Sequence, residues 1–302
     1  MDKKGEIDIL TKKIMPNVGV ITNISYAHIK NFQNLKGIAN AKSEIINNMP
    51  KHGSIILNAD DNFFKFLESK SKKKKLRIIS FGINKKSNVS LINIKRRKFN
   101  SVIYIKNNEK KLKFIIKKNL ENYIYNILST LAVISVYFDL EKLDKFFFND
   151  YKFPEGRGDL NKIKLKEKKI NLIDESYNSN PLSLQFAVNK FNSLNTKSRR
   201  KLILLGDMLE LGKYSKKLHI EAAQYINAAK IDKVYVYGNE VIETFNKIKP
   251  QKRGKILNSK KDILNFILND IKNGEYLMIK GSNSTGLNKI SQSLKVGKIN
   301  AF

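Results

Sequence analysis

The sequence predicts an α/β protein built on two parallel sheets, the first of them extended by antiparallel hairpins. Three observations carry that reading. Short apolar runs of strand length alternate with segments in which apolar residues recur at helical spacing. Between Val89 and Ile116 the pattern changes to short alternating runs separated by polar or Asn-Asn turns, as hairpins require. Pro154-Glu155-Gly156-Arg157-Gly158 punctuates the middle of the chain and marks the expected junction between domains at 1–152 and 153–302.

Taken in order, Val18–Ile24 is a mostly apolar run after Pro16 and suits a buried parallel strand. Ile38–Met49 has helical spacing, with Ile38, Ala41, Ile45 and Ile46 on one side. Ser54–Leu57 and Arg77–Phe81 are the next strands, with a helix at Asn62–Ser69 between them. The hairpin strands are Val89–Ile94, Val102–Ile105 and Leu112–Ile116. Leu120–Phe138 predicts a long, largely buried helix and Leu140–Phe148 a second one. Beyond the junction, strands at Ile170–Ile173, Leu202–Leu205, Val234–Tyr237 and Tyr276–Ile279 alternate with helices near Pro181–Asn192, Lys216–Ala229, Glu240–Ile248 and Lys260–Ile271. Such alternation implies right-handed crossovers, with ligands at the carboxyl ends of the strands. Those ends carry Asp174–Asn178, Gly206-Asp207, Gly238-Asn239 and Lys280-Gly281-Ser282, mostly small or polar residues.

Composition narrows the classes. A chain of 302 residues with 41% hydrophobic content is long enough for two cores. No apolar run of about 18 residues exists to predict a membrane span, and the first residues have no apolar stretch of the signal-peptide kind. The expected address is the cytoplasm. With no cysteine, a disulfide scaffold and a Cys-ligated metal are excluded. The net charge of +31 raises the question of nucleic acid. Its Lys and Arg are spread along the whole chain, as in Lys72–Lys75 and Lys106–Lys113, rather than gathered on one face among stacking aromatics. No specific nucleic-acid partner is expected.

Chemistry is expected first at Thr22–His28, at the end of the first strand. His28 is one of three histidines, with His52 and His219, and only His28 sits where a ligand is expected. Lys42 lies between Ala41 and the apolar Ile45 and Ile46, in what the spacing gives as the first turns of a helix. A buried lysine loses its charge readily, and its free amine can take up carbon dioxide as a carbamate, an oxygen ligand suited to magnesium. Asn126, in an apolar helix, demands a partner, because an unpaired buried amide costs about 1–3 kcal/mol. Asn180-Pro181 is a good helix start on its own account.

Eight segments occur in order: Gly5–Thr11, Ile21–His28, Ala39–Ile45, Leu57–Asp61, Gly156-Arg157-Gly158, Ile173–Pro181, Leu205–Gly212 and Lys280-Gly281-Ser282. Together they resemble the Mur ligase family over nearly the whole chain. The Gly206–Gly212 run and Ser176-Tyr177-Asn178-Ser179-Asn180-Pro181 point to the branch that joins D-alanyl-D-alanine to UDP-N-acetylmuramoyl-tripeptide. The resemblance implies an incomplete central parallel-sheet ATPase domain followed by a Rossmann-like C-terminal ligase domain. It implies ATP and Mg2+ as cofactors and those two molecules as substrates. It places His28 and carbamylated Lys42 on magnesium and Asn126 near the adenine. It sets Arg157 on the ATP phosphates and Asp174 near the nucleotide. Asn178, Asn180, Lys280 and Ser282 are expected to line the dipeptide side. The family's His-Asn pair ahead of Asn126 is Asn122-Tyr123 here, which weakens that nucleotide contact.

The resemblance also implies a phosphate loop ending in Gly-Lys-Thr or Gly-Lys-Ser, and none of the 302 residues forms one. The expectation is therefore of a chain lacking the loop, the glutamate before it and the uridine-nucleotide domain, inactive alone, with an exposed strand edge and apolar surface where the sheet is incomplete. Two readings of the chain stay open: part of a working ligase, and a non-catalytic binding module or scaffold that keeps the fold. Oligomeric state and the diamino acid of the tripeptide are not legible.

Overall fold

The computed structural model describes residues 1–297 and resolves into two compact units, Met1–Tyr151 and the residues from Lys152 onward. In the first unit, α1 (Glu6–Ile14) precedes β1 (Val18–Ile21) and α2 (Leu35–Lys42), which runs into a 3-10 turn at Ser43–Ile46. Then come β2 (Ser54–Asn58), α3 (Phe64–Lys73), β3 (Arg77–Gly82), β4 (Val89–Arg96), β5 (Asn100–Asn107), β6 (Lys110–Lys117) and α4 (Ile124–Ile134). The six strands form one sheet in sequence order, parallel from β1 to β4 and antiparallel from β4 to β6. Ser54-Ile55-Ile56-Leu57 is buried throughout, as a strand covered on both faces must be. Ile21, Ile46, Met49, Ile55, Leu57 and Leu67 make one core, and α4 packs against β1, β2, β3 and β4.

Two expectations in this unit are corrected. Leu140–Phe148 is not an α-helix: Leu140–Lys142 is a single 3-10 turn, with the Asp139 carboxylate accepting the Glu141 N–H at 3.1 Å, and isolated turns follow it. The helix expected at Leu120–Phe138 is α only over Ile124–Ile134, entered by a 3-10 stretch at Lys118–Tyr123. Sequence reasoning also passed over α1, whose orientation reverses the usual one. Its polar side meets the unit: Asn48 Nδ2 donates to the Asp8 carboxylate and the Thr11 hydroxyl, each at 3.1 Å, and Glu44 accepts the Gly5 N–H at 2.8 Å. Ile9, Leu10, Ile14 and Met15 face outward, 58–70% exposed, beside a sheet whose edge strand is β1.

The second unit contains β7 (Asp159–Leu165), β8 (Lys168–Asp174), α5 (Pro181–Ser193), β9 (Lys201–Gly206), α6 (Ser215–Ala228), β10 (Lys233–Tyr237) and α7 (Ile242–Lys247). It continues with β11 (Arg253–Leu257), α8 (Lys260–Asn265), which passes into a π-helical turn at Phe266–Asp270, β12 (Tyr276–Lys280) and α9 (Leu287–Lys295). The sheet order is β11-β10-β9-β12-β8-β7, parallel except for the edge strand β7. Residues of α8 and α9 share a core with alternate residues of the strands, including Leu202, Leu204, Leu277 and Ile279. From β9 the chain runs outward through β10 and β11 and then returns to β12 on the other side of β9. The topology therefore reverses between β9 and β12, where an open α/β sheet forms its ligand crevice. Gly206 ends β9 and Gly281 follows β12 with close backbone approach, a Cβ on Gly281 lying 3.2 Å from the Gly206 Cα.

Candidate active site

In the first unit the expected residues gather beyond the carboxyl end of β1. Lys42 is not in the first turns of its helix but is the last residue of α2, because Asn34 caps the start by accepting the Gly37 N–H at 3.0 Å. From there its amine donates to the Asn23 carbonyl at 2.8 Å. Burial lowers its pKa, and the nearby Asp61 carboxylate offsets part of that. Asp61 itself stitches two loops, accepting the Ile24 N–H at 2.6 Å and the Phe63 N–H at 2.8 Å. His28 ends the same Thr22–His28 segment at φ 60°, in the left-handed region that a non-glycine residue occupies at a cost. Its Nδ1 lies 3.0 Å from the Asp2 carboxylate.

Asn126 departs from expectation. It is exposed on α4, so it has solvent where a buried amide was foreseen. Beside it, the Tyr125 hydroxyl donates to Asp60 at 3.1 Å, and burial together with that carboxylate pushes the phenol up to about 12. Asp60 also accepts the Ile83 and Asn84 N–H groups, at 2.6 and 3.1 Å.

In the second unit the junction segment is sewn to the tip of β8. Gly158 N–H donates to the Asp174 carbonyl at 2.6 Å, and Tyr177 N–H donates to the Gly156 carbonyl at 3.2 Å. Arg157 is exposed, with its guanidinium 4.1 Å from the centre of the Tyr177 ring. Asp174 is 1% exposed and paired: Lys295 Nζ lies 2.6 Å away, and Ser176 donates through its hydroxyl at 2.5 Å and its N–H at 3.0 Å. Burial would raise this carboxyl, but Lys295 and Ser176 outweigh it and hold it below the usual range.

Its neighbour Glu175 is less well served. One of its carboxylate oxygens is buried without a hydrogen-bond partner, 3.7 Å from the Lys190 amine. Burial raises its pKa against the pull of Lys280 and Lys190. Lys280 is 1% exposed and donates to the Asn178 carbonyl at 3.0 Å. Burial brings its pKa down to about 8, opposed by Glu175 and aided by Arg157. Arg157, Glu175, Lys190 and Lys280 thus act on one another electrostatically at the carboxyl tips of β8 and β12. Sequence reasoning missed Glu175 and Lys190, although the Asp174-Glu175 pair of acids at a strand tip was a visible signal.

The other expected residues here are engaged in structure. Asn180 caps α5, accepting the Ser183 N–H at 2.9 Å in a full capping box. The Ser282 hydroxyl accepts the Leu209 N–H at 2.9 Å and donates to the Ser179 carbonyl at 3.2 Å. Asn178 is exposed, its side chain accepting the Ser179 N–H at 2.7 Å. Beside them a 360 Å³ cavity opens at the topological reversal, lined by Asp207, Leu209, Tyr237, Gly238, Asn239, Ile242, Leu257, Asn258, Ser284 and Thr285. Asp207 organises its rim by accepting the Asn239 and Val241 N–H groups at 3.2 and 2.8 Å. Gly238 stands at φ 131°, where an added Cβ would lie 2.4 Å from the Asp207 carboxylate. The cavity mixes apolar walls with amides and hydroxyls, which suits a small polar ligand with short apolar side chains.

Residues 1–134 match the Mur ligase middle domain, and residues 160–283 match the Mur ligase glutamate ligase domain. The UDP-N-acetylmuramoyl-tripeptide–D-alanyl-D-alanine ligase of Rickettsia prowazekii is 29% identical over 293 residues, 96% of this chain and 64% of that protein. The ligase of the same name from Bacillus subtilis is 28% identical, over 97% of this chain and 62% of its own length. The chain thus spans less than two thirds of either relative. Among solved structures, MurF from Acinetobacter baumannii superposes with a TM-score of 0.83 at 23% identity, covering 98% of this chain and 63% of that one. MurF ligase from Thermotoga maritima, in complex with ADP, gives a TM-score of 0.80 at 20% identity, covering 99% of this chain and 66% of that one. No helix among the described residues is long and apolar enough to cross a membrane. With one domain match on each unit, in the order the family uses, the chain belongs to the Mur ligase family.

Proposed function

We propose that this chain forms part of an ATP-dependent ligase that joins D-alanyl-D-alanine to UDP-N-acetylmuramoyl-tripeptide. The observation that carries the reading is the continuous match, over 96–97% of the chain, to relatives of that name. In such a reaction the tripeptide carboxylate accepts the γ-phosphoryl group of ATP. The dipeptide amine, once deprotonated, then displaces phosphate from the acyl carbon. Catalysis depends on neutralising the oxygens around the transferring phosphoryl group.

The residues are assigned roles accordingly. Magnesium, when bound, neutralises phosphate charge. His28 would hold it through imidazole nitrogen, and Lys42 through oxygen once carbamylated. The donor chemistry fits on one condition: a free lysine amine offers a hard cation no oxygen, whereas its carbamate does. Burial of Lys42, which favours the uncharged amine, supports that modification. Exposed Asn126 is available to adenine, and Arg157, held out on the junction turn, to phosphate. Asp174 acts by fixing the β8 tip through Lys295, while Glu175 is the carboxylate there with unused accepting capacity. Lys280 and Asn178 define the charged side of the dipeptide site, and Asn180 and Ser282 hold its loops in place. The cavity beside them takes the dipeptide itself.

The test is a chimera in which this chain replaces the matching 64% of the Rickettsia prowazekii ligase. Phosphate release that requires both the tripeptide nucleotide and D-alanyl-D-alanine is expected. A chimera that folds and binds ATP but makes no such product would leave the scaffold reading in its place. The purified 302-residue chain alone is expected to release none.

A further inference from the structure

We propose that His219 is a positioning residue: its neutral imidazole pins the Asp207–Gly212 loop that walls the cavity, and protonation releases it. Calling the cavity's ligand a dipeptide rests on the function proposed above; the pin itself does not.

His219 lies on α6 with no exposure. Its Nε2 is 3.1 Å from the Met208 backbone nitrogen, whose N–H can only donate. Its Nδ1 is 2.9 Å from the Ser215 carbonyl, which can only accept. These two partners fix the neutral tautomer with the proton on Nδ1. The Ser215 hydroxyl lies 3.2 Å from the same Nδ1 and donates to Glu240 at 2.6 Å. From α7, the Thr244 hydroxyl donates to the His219 carbonyl at 2.7 Å, so α6, α7 and the loop meet at this residue.

The pinned loop positions the cavity. Asp207 and Leu209 line it, and Met208, buried between them, is the residue that His219 holds. This stretch is also tied to the β12 turn, by Ser282 N–H to the Asp207 carbonyl, at 3.0 Å, and by Leu209 N–H to Ser282 Oγ, at 2.9 Å. Further along, Glu210 sits at φ 64°, a left-handed conformation that costs a non-glycine residue, and Gly212 at φ 55°, which glycine adopts freely.

A proton on Nε2 would turn the Met208 contact into two N–H groups facing each other. A buried N–H would lose its acceptor, and a charge would appear in a buried site. The charged groups facing the ring are Asp207 on the loop, Glu240 ahead of α7 and Glu243 on α7, whose charge Lys216 shares at 3.5 Å. They favour the protonated ring, but burial outweighs them and lowers its pKa. The pin is therefore intact at neutral pH and fails in acid.

The experiment follows ring and amide resonances of the ¹⁵N-labelled 302-residue chain from pH 8 to pH 5. D-alanyl-D-alanine is titrated at each pH, with the Gly238 and Asn239 amides as reporters. The neutral Nδ1–H signature is expected at the upper end. The Met208 amide should then move on the same midpoint as the ring, with its hydrogen exchange at least tenfold faster and the dipeptide Kd at least fivefold weaker. His219→Gln, which keeps a side-chain acceptor that does not titrate, should retain neutral-pH affinity and lose the pH dependence. A Met208 amide that stays still while the ring titrates would overturn the proposal. So would a His219→Gln protein with the parental pH midpoint. Coupled movement of Met208 and His219 without dipeptide binding at any pH would uphold the pin and count against the dipeptide assignment. Should His219→Gln fail to fold, the parental titration still decides.

Discussion

Four side chains, Asp174, Lys42, His219 and Glu175, carry the sharpest expectations at the residue scale. Asp174→Asn leaves the largely buried Lys295 with Asp159 as its nearest remaining carboxylate, at 2.8 Å, and should cost about 3 kcal/mol of stability, checked by the urea midpoint. Lys42 should give a ¹³C carbamate signal with labelled bicarbonate near pH 8, absent in Lys42→Arg; no signal at saturating bicarbonate would remove its ligand role. Acid stability has a defined order. His219 has a lowered pKa, so its contribution is complete above 6.5 and fades as pH falls below that value. Asp174, also lowered, contributes fully above 3.8 and is lost below it. Glu175 is raised, so it acts in the opposite sense and destabilises the fold as pH climbs past its ordinary 4.5. A stability profile with its first acid loss near pH 4 rather than pH 6 would contradict this order.

At the element scale, Asn180→Ala removes the side-chain half of a capping box, the acceptor of the Ser183 N–H, and should destabilise α5 by about 1 kcal/mol. Gly238→Ala meets both a positive φ and the Asp207 carboxylate, and should loosen the cavity rim at a cost of about 1–3 kcal/mol; unchanged Asn239 and Val241 amide shifts would refute it. Elements also show what was legible. Apolar runs such as Ile55–Leu57 and Leu202–Leu205 declared buried strands, and Asn180-Pro181 declared a helix start. Leu140–Phe148 did not declare itself, because its aromatics pack on isolated i→i+3 turns, such as Phe147 N–H to the Asp144 carbonyl at 3.0 Å, without an α-helical ladder. Phe114, for instance, meets Phe148 edge to face at 5.8 Å. The site was legible at the level of loops and less so of atoms. Lys280 and Asn178, named from sequence, do meet, amine on carbonyl at 3.0 Å, but sequence could not tell that Asp174 is paired with Lys295 while one Glu175 oxygen has only the Lys190 charge at 3.7 Å. Nor could it distinguish His219 from a routine helix residue, since its partner is a backbone N–H eleven residues away.

For the molecule as a whole, the charge of +31 should give only weak binding to DNA, collapsing by roughly 200 mM salt. Sequence-selective affinity that survives that salt would reopen the nucleic-acid reading. The same charge bears on the outward apolar side of α1 and the edge strand β1. Such an edge invites strand addition from another chain. Two cationic copies repel each other over about 10 Å at 0.1 M salt and over less as salt rises. Electrolyte should therefore precipitate this protein rather than keep it dispersed, and Leu10→Glu with Ile14→Glu should abolish the salt-induced light scattering.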